Sequence, residues 1–157
     1  MREDLEKRLF EDFPDLYYRH LQPNGYPFRI SCESGWEPLL RRLSERITQI
    51  VQNLPLESPI SVDKSPISKD TSIKAGRYAG LTAQSFCVVQ VKEKFGGLRF
   101  YMNKSTGKIN LAIQDAEDES LTTCETCGRP GNFRGGSWYI VACDEHNSRE
   151  EVTMFSV

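Results

Sequence analysis

The chain has 157 residues, a formal net charge of −2 and a charged fraction of 27%. This length is typical of a single domain that buries about two thirds of the surface exposed by its unfolded chain. The first stretch, MREDLEKRLFEDF, is charged throughout, and no apolar run has the length of a membrane span. Composition therefore excludes the membrane-spanning class.

Charge is unevenly distributed along the chain. Residues 61–110 carry nine Lys and Arg against three Asp and Glu, whereas residues 111–157 carry three against nine. A basic middle and an acidic end predict one of two arrangements. Either the two parts approach different partners, or they face each other and solvent within the fold.

The first predicted element is an amphipathic helix. Leu5, Leu9 and Phe13 recur every four residues, and the helix is expected to end near Pro14. His20 follows as a lone histidine beside aromatic residues. Because no partner stands near it in sequence, a surface or packing role is favoured over a catalytic one.

A short strand and a long helix come next. Residues 28–32 alternate apolar and polar side chains, which predicts a half-buried strand. Residues 37–54 form the clearest helix, and its apolar stripe predicts core rather than a cofactor site. The stripe consists of Trp36, Leu39, Leu40, Leu43, Ile47, Ile50, Val51 and Leu54. Residues 55–80 are rich in Ser, Pro and Lys and predict a flexible loop.

The stretch CVVQVKEKFGGLRFYMN predicts a β-hairpin. Two alternating runs flank Gly96-Gly97, and a Gly-Gly turn would pair Val91 with Met102. One face is then apolar except for Glu93, and it consists of Val89, Val91, Phe95, Leu98, Phe100 and Met102. The other face is polar and basic, and it consists of Gln90, Lys92, Lys94, Arg99, Tyr101 and Asn103. A one-residue slip would exchange the faces.

Two interpretations of the basic face compete. Lys92, Lys94 and Arg99 could follow a phosphate backbone while Tyr101 stacks on a base. Alternatively, the face is ordinary solvated surface, or a helix covers it above the long side chains. The sequence pI of about 5.8 is low for a nucleic-acid-binding protein. Glu93 has no second carboxylate or unassigned histidine near it in sequence, so no acid–base pair is predicted.

Residues 108–121 form a third predicted helix with an acidic outer side. Asp115, Glu117, Asp118 and Glu119 make this side a candidate surface for a basic partner. The tail, residues 150–157, carries apolar side chains that are expected to dock on the body or on another chain.

The most chemically specific motif is C-x2-C-x15-C-x2-H. It comprises Cys124, Cys127, Cys143 and His146, two close pairs of the kind that hold a tetrahedral zinc ion. Gly128 follows the second cysteine, where a tight turn favours a residue that can adopt positive φ. A redox pair is disfavoured, because a thioredoxin-like CxxC opens a helix and this one precedes Pro-Gly.

Zinc at this motif is predicted to be structural. Four protein ligands leave no open position, and the H-x-E signature of zinc deaminases is absent from the sequence. The motif defines a zinc ribbon over residues 122–149. Cys32 and Cys87 stand in apolar, strand-like runs and are expected to be buried free thiols. Free thiols predict a reducing, cytoplasmic setting.

VVQVKEKFGGLRFYM, a following helix and CETCGRPG…GGSW…CDEH together resemble a family of small bacterial and phage proteins. The start of the second helix, Trp36 to Leu40, belongs to the same pattern, so the resemblance covers about residues 28–54 and 86–146. It implies the four zinc ligands named above and no catalytic residues.

The predicted architecture is α+β: a small antiparallel sheet packed with amphipathic helices, plus a C-terminal zinc ribbon. Residues 1–121 form the body, 122–149 the ribbon and 150–157 the tail. We expect one structural zinc and no membrane association. Three functions are compared: an interaction protein, a nucleic-acid-binding module and an enzyme.

The first hypothesis is a non-enzymatic phage or mobile-element accessory. It would bind and inhibit a host protein or a nucleoprotein complex, such as a defence system. The second is a nucleic-acid-binding module that uses the basic hairpin face. The third is a zinc-knuckle nuclease, which needs a histidine base, and only His20 lies outside the zinc motif. The first hypothesis is preferred.

Overall fold

The computed structural model describes residues 1–17, 29–54, 86–136 and 138–147. Within these ranges there are three α-helices and two separate antiparallel hairpins. The elements are α1 (Glu3–Asp12), α2 (Glu37–Gln52), β1 (Val88–Lys94), β2 (Gly97–Met102), α3 (Gly107–Ser120), β3 (Asn132–Arg134) and β4 (Ile140–Ala142). The α+β prediction is confirmed. His20, the predicted loop 55–80 and the predicted tail 150–157 lie outside the described residues.

Helices α2 and α3 pack side by side and cover the inner face of the β1–β2 hairpin. A 3₁₀ turn, Ser34–Trp36, leads into α2, and the indole of Trp36 is fully buried. Thr106 caps α3, because its side chain accepts a hydrogen bond from the backbone N–H of Ile109. In the first turn of a helix this N–H has no carbonyl partner within the helix. The predicted stripe of α2 supplies Leu39, Leu40, Leu43 and Ile47 to the core.

The β1–β2 turn lies one residue earlier than predicted. Lys94 pairs with Gly97 and Val91 pairs with Phe100, so the turn residues are Phe95 and Gly96 rather than Gly96-Gly97. Both have positive φ, 55° and 79°, as a two-residue turn matching the strand twist requires. Each residue pairs two positions earlier on the opposite strand than predicted, and an even shift leaves the residues of the regular ladder, 90–94 and 97–101, on their predicted faces.

A bulge at the start of β1 places Val89 on the outer face, contrary to the prediction. The register shifts between Val88 and Gln90, and Val89 turns outward with 39% exposure while Val88 is fully buried. A bulge adds a residue to one strand and so reverses the alternation beyond it. Phe95, also predicted on the inner face, lies in the turn and is 66% exposed.

The strand predicted over 28–32 is reduced to a single bridge in the described residues. Ser31 donates to Val91 O at 3.0 Å, and its own carbonyl accepts from Glu93 N at 2.8 Å, in a parallel arrangement. Ile30 and Cys32 are buried as expected. The segment then enters the 3₁₀ turn before α2, which ends the pairing.

Side chains of α3 cover the outer edge of β2. The N–H of Leu98 donates to Ser120 Oγ at 2.9 Å, and the N–H of Phe100 donates to Glu117 Oε1 at 3.2 Å. With Ser31 on the edge of β1, each edge of the hairpin is partnered. No helix in the described ranges has the length and apolar character needed to span a bilayer.

Candidate metal centre

The four predicted ligand residues converge on one point. Their ligand atoms all lie within 4.8 Å of one another. The sulfurs of Cys127 and Cys143 are 3.7 Å apart, and His146 Nδ1 is 3.2 Å from Cys143 Sγ and 3.7 Å from Cys124 Sγ. This Cys3His group could hold a metal ion.

A tight turn after α3 positions the first ligand pair. Cys124 N donates to Arg129 O, and Gly128 N donates to Cys124 O, each at 2.8 Å. Gly128 has a φ of 77°, which confirms the positive φ predicted from the sequence. This conformation favours glycine because a side chain there would collide with its own backbone. The turn places both sulfurs on the same side.

The β3–β4 hairpin positions the second pair. Glu125 N donates to Val141 O at 3.0 Å, which joins the first turn to β4. Cys143 directly follows β4, and a 3₁₀ turn over Asp144–His146 brings the imidazole back toward it. Two tight turns that carry the ligand pairs, joined by a hairpin, are therefore present in residues 122–136 and 138–147, as a zinc ribbon requires.

Arg129 is a charged neighbour that the motif did not predict. Its Nε lies 3.4 Å from Cys127 Sγ and its Nη2 lies 3.8 Å from Cys143 Sγ, while Nη1 donates to Glu145 at 2.7 Å. The hydrogen bond from Arg129 is the main reason why the pKa of Cys127 falls to about 6. A lowered pKa favours the thiolate, which is the form that binds metals.

The loop that carries Cys124 and Cys127, which we call the metal-binding loop, is hydrogen-bonded directly to the body. Gly35 N donates to Glu125 O at 2.7 Å, and Trp36 Nε1 donates to Thr123 O at 2.9 Å. Glu33 N donates to Glu125 Oε1, also at 2.9 Å. A Cβ on Gly35 would lie 2.5 Å from Gly128 N, so the two backbones are in direct contact. These hydrogen bonds connect the segment before α2 to the loop that carries the first cysteine pair.

The candidate basic face is open in the described part of the chain. Lys94 and Tyr101 are exposed, whereas Lys92 and Arg99 are half-buried. The ammonium of Lys92 lies 5.8 Å from the Tyr101 ring centroid. Arg99 differs from the two lysines, because it lies 3.9 Å from Glu117 and donates to Leu98 O.

The candidate acidic surface on α3 is largely paired within the fold. Arg46 of α2 binds Asp115 at 2.6 Å, and Arg42 forms an ion pair with Glu119. Glu117 accepts from Phe100 N and contacts Arg99, which leaves Asp118 as the exposed member with no ion pair in the described residues. The acidic side of α3 therefore faces basic side chains of α2 and β2.

Glu93 has a local structural role. Its Oε1 accepts a hydrogen bond from Gly96 N and so stabilises the turn. This hydrogen bond satisfies the backbone N–H of Gly96. It accounts for the position of Glu93 without an acid–base role.

A group of exposed apolar residues lies where the hairpin tip meets the ribbon. Phe95, Leu121, Trp138 and Tyr139 are 66%, 38%, 61% and 43% exposed, and we call them the aromatic junction. Tyr139 stacks on Phe133 with ring centroids 5.3 Å apart. A Cβ on Gly96 would lie 2.9 Å from the Phe133 ring, and one on Gly97 would lie 3.1 Å from Leu121. The alternating pattern of the hairpin sequence could not predict the aromatic junction, because Trp138 and Tyr139 belong to the ribbon.

Thiol labelling tests the division of the five cysteines. Burial raises the pKa of Cys32 to about 12, and Cys87 is fully buried. In metal-loaded protein at pH 8 we expect no rapidly alkylated cysteine. A chelator should expose Cys124, Cys127 and Cys143, and denaturant with chelator should expose all five. Mass spectrometry after timed alkylation measures this. Labelling of Cys32 as fast as Cys127 after chelation would contradict the assignment.

No protein-family model matches this chain, and comparisons with curated proteins and with solved structures likewise found no match. The resemblance to small bacterial and phage proteins therefore stays a prediction that rests on its sequence motifs. The role of the metal centre and of the exposed surfaces must be inferred from their own geometry and chemistry.

Proposed function

We propose that the metal is one zinc ion with a structural role. A tetrahedral zinc with Zn–S of about 2.3 Å and Zn–N of about 2.0 Å separates its ligand atoms by about 3.5 to 3.8 Å. Two separations fit this tetrahedron, namely 3.7 Å between Cys127 and Cys143 and 3.7 Å between Cys124 and His146. The third, 3.2 Å between Cys143 and His146, is shorter than a bound zinc requires, so these two side chains must move apart slightly when the ion binds. Soft thiolates with one imidazole are a donor set that suits zinc.

The protein itself is proposed to be a non-enzymatic interaction protein of the cytoplasm. Four protein ligands fill a tetrahedral zinc, so the ion offers no open position to a substrate. The buried thiols of Cys32 and Cys87 suit a reducing compartment. The zinc instead holds the ribbon against the body, where it completes a surface that neither part forms alone.

The aromatic junction carries this proposal. Aromatic side chains dominate the energetically important centres of protein interfaces, because they bury a large area with few rotatable bonds. Phe95 and Trp138 each expose more than half of their surface, and Gly96, next to Phe95, lies close to Phe133 and to the backbone of Ile140 in the ribbon. Clustered exposure of large apolar side chains marks an interaction site more clearly than single exposed residues do.

The conformation of Phe95 supports the same proposal. A bulky residue with a φ of 55° is uncommon, and such a conformation costs about 1 to 3 kcal/mol. Asn-Gly would form this turn with less strain. The backbone of Phe95 is strained, and its ring, which is 66% exposed, contributes little to the core. We assign this exposed ring to a contact with a partner.

The class of partner follows from the sequence hypothesis. We propose a phage or mobile-element accessory that binds and inhibits a host protein or nucleoprotein complex, such as a defence system. The motif resemblance and the closed metal site support this class. The acidic side of α3 is no longer the favoured contact, because Arg42, Arg46 and Arg99 already neutralise most of it.

Affinity capture from host lysate tests the proposal. Capture of a specific partner should be lost in Phe95→Asn and in Trp138→Ala. Leu111→Ala is the matched control, because Leu111 is 59% exposed on α3 and lies outside the aromatic junction. A partner retained equally by all variants, or no specific partner in any lysate, would contradict the proposed surface.

Phe95→Asn has a second expected effect, on stability. Asparagine tolerates positive φ, so the substitution removes strain while losing little burial. We expect the free energy of unfolding to rise by about 1 kcal/mol while partner capture falls. Urea denaturation of the zinc-loaded protein measures the first change. A variant that is less stable than the parent protein would show that Phe95 serves the fold rather than a partner.

A further inference from the structure

The outer face of the β1–β2 hairpin carries uncompensated positive charge. Lys92 and Lys94 have no ion pair in the described part of the chain. The neighbouring carboxylates are occupied, since Glu93 accepts from Gly96 N and Glu117 accepts from Phe100 N. Within the described ranges, the two ammonium groups are therefore available to an anionic ligand.

Each of these lysines is paired with an exposed ring. The ammonium of Lys94 lies 5.2 Å from the centroid of Phe95, and that of Lys92 lies 5.8 Å from the centroid of Tyr101. Phe95 is 66% exposed and Tyr101 is 44% exposed. A ring beside a cation is the unit with which proteins hold one nucleotide, because the ring stacks on the base and the cation binds the phosphate.

A groove continues this face beside Tyr101. It has a volume of about 280 Å³ and lies between β2 and α3. Tyr101 and Met102 line one side, while Ser105, Asn110 and Gln114 contribute hydroxyl and amide groups. Glu117 also lines the groove, and its carboxylate accepts a hydrogen bond from Phe100 N. Amide groups can donate to and accept from the edges of an unpaired base. Such edges are accessible in a single strand and largely hidden in a duplex.

An acidic peptide fits the same face less well. Extended peptides commonly bind by adding a strand to a free sheet edge. Here Ser31 occupies the edge of β1, and Ser120 and Glu117 bind the outward N–H groups of β2. The hairpin therefore offers rings and cations on its face but no free backbone edge to a peptide.

We infer that the outer face and the tip of the hairpin bind single-stranded nucleic acid, with Phe95 and Tyr101 stacking on bases and Lys92 and Lys94 binding phosphates. The inference rests on the proposed function, because it names the nucleic-acid component of a nucleoprotein partner. The groove beside Tyr101 receives an unpaired base. The ribbon side of the aromatic junction is left to the protein component.

Fluorescence anisotropy with labelled oligonucleotides tests the inference. The zinc-loaded protein should bind a 15-nucleotide oligo-dT or oligo-U with a Kd of about 10⁻⁴ to 10⁻⁶ M at physiological salt, and more tightly at 50 mM salt. Binding to a duplex of the same length should be at least about fivefold weaker, because a duplex hides the base faces. Tyr101→Leu, which keeps an apolar side chain but no ring, should weaken single-strand binding by about 5- to 100-fold.

Salt dependence tests the role of the lysines. Lys92→Gln/Lys94→Gln should flatten the log–log salt slope by about 1.4, because each phosphate contact to a single strand contributes about 0.7. The matched control is Lys7→Gln/Lys108→Gln, which removes the same number of positive charges from exposed positions outside the hairpin. Unchanged zinc content and circular dichroism establish that each variant is folded.

Several outcomes overturn the inference. They are no binding at 50 mM salt, equal binding of duplex and single strand, equal loss in the control, or displacement of the oligonucleotide by polyglutamate. The proposed function fails separately. If capture depends on Trp138 but survives nuclease treatment and the Lys92/Lys94 substitutions, the interaction protein stands and the nucleic-acid inference falls. If oligonucleotides bind as expected but no capture depends on Trp138, the reverse holds.

Discussion

Replacing Cys127 or Cys143 with serine is expected to abolish zinc binding and to unfold the ribbon, residues 122–147. Isolated structural zinc sites contribute about 10 to 16 kcal/mol to folding. A whole domain is stable by about 5 to 15 kcal/mol, so loss of the ion exceeds what the ribbon can tolerate. Strands β3 and β4 have three residues each and form no independently stable sheet.

Metal analysis and hydrogen exchange measure this effect. The parent protein should contain about one zinc per chain, and amides 124–146 should lose protection in either serine variant or after chelation. Cys87→Ala is the control, because it removes a buried thiol outside the metal cluster and should keep the zinc. Metal-free protein with unchanged protection of these amides would refute a structural role for the ion.

Loss of zinc should also destabilise the start of α2, which belongs to the body. Trp36 Nε1 donates to Thr123 O, and Gly35 N donates to Glu125 O, so the start of α2 depends on an ordered metal-binding loop. Amides near residues 33–36 should therefore exchange faster in the metal-free protein, while the middle of α2 keeps its protection through its own core contacts. This gradient separates a structural ion from one that is merely bound at the surface.

The Cys3His cluster could be predicted because its sequence pattern is local. Two residues between Cys124 and Cys127 fix a turn, and a second pair after an apolar strand completes a tetrahedral set. The faces of the hairpin were also predictable, since alternation survives a two-residue change of register. The turn itself was not, because Phe95-Gly96 needs a bulky residue at positive φ, which sequence rules disfavour.

Contacts between distant segments were beyond sequence reasoning. The acidic side of α3 looked like a free surface, yet Arg42 and Glu119, 77 residues apart, form an ion pair across two helices. The aromatic junction likewise combines the tip of one hairpin with the loop of another. Such pairings depend on how elements pack, and neither charge counts nor periodicity along one element contains that information.

Gly35→Ala is expected to destabilise the protein by about 3 kcal/mol or more, although alanine is the better helix former. A Cβ at this position would lie within 3.0 Å of the carbonyl oxygens of Cys124 and Glu125 and of Gly128 N. Three backbone atoms of a hydrogen-bonded loop cannot move aside as a flexible side chain could. The methyl group should therefore force the metal-binding loop away from the start of α2, with loss of the bond between Gly35 N and Glu125 O.

Urea denaturation and the rate of zinc transfer to a chelator measure the consequence. The unfolding midpoint should fall, and zinc should leave faster, because the loop is no longer supported by the body. Gly107→Ala is the matched control, since a Cβ there meets nothing within 4 Å at the first residue of α3. That control should be neutral or slightly stabilising. Equal midpoints for the two alanine variants would mean that the loop and the body are not in the close contact on which the aromatic junction depends.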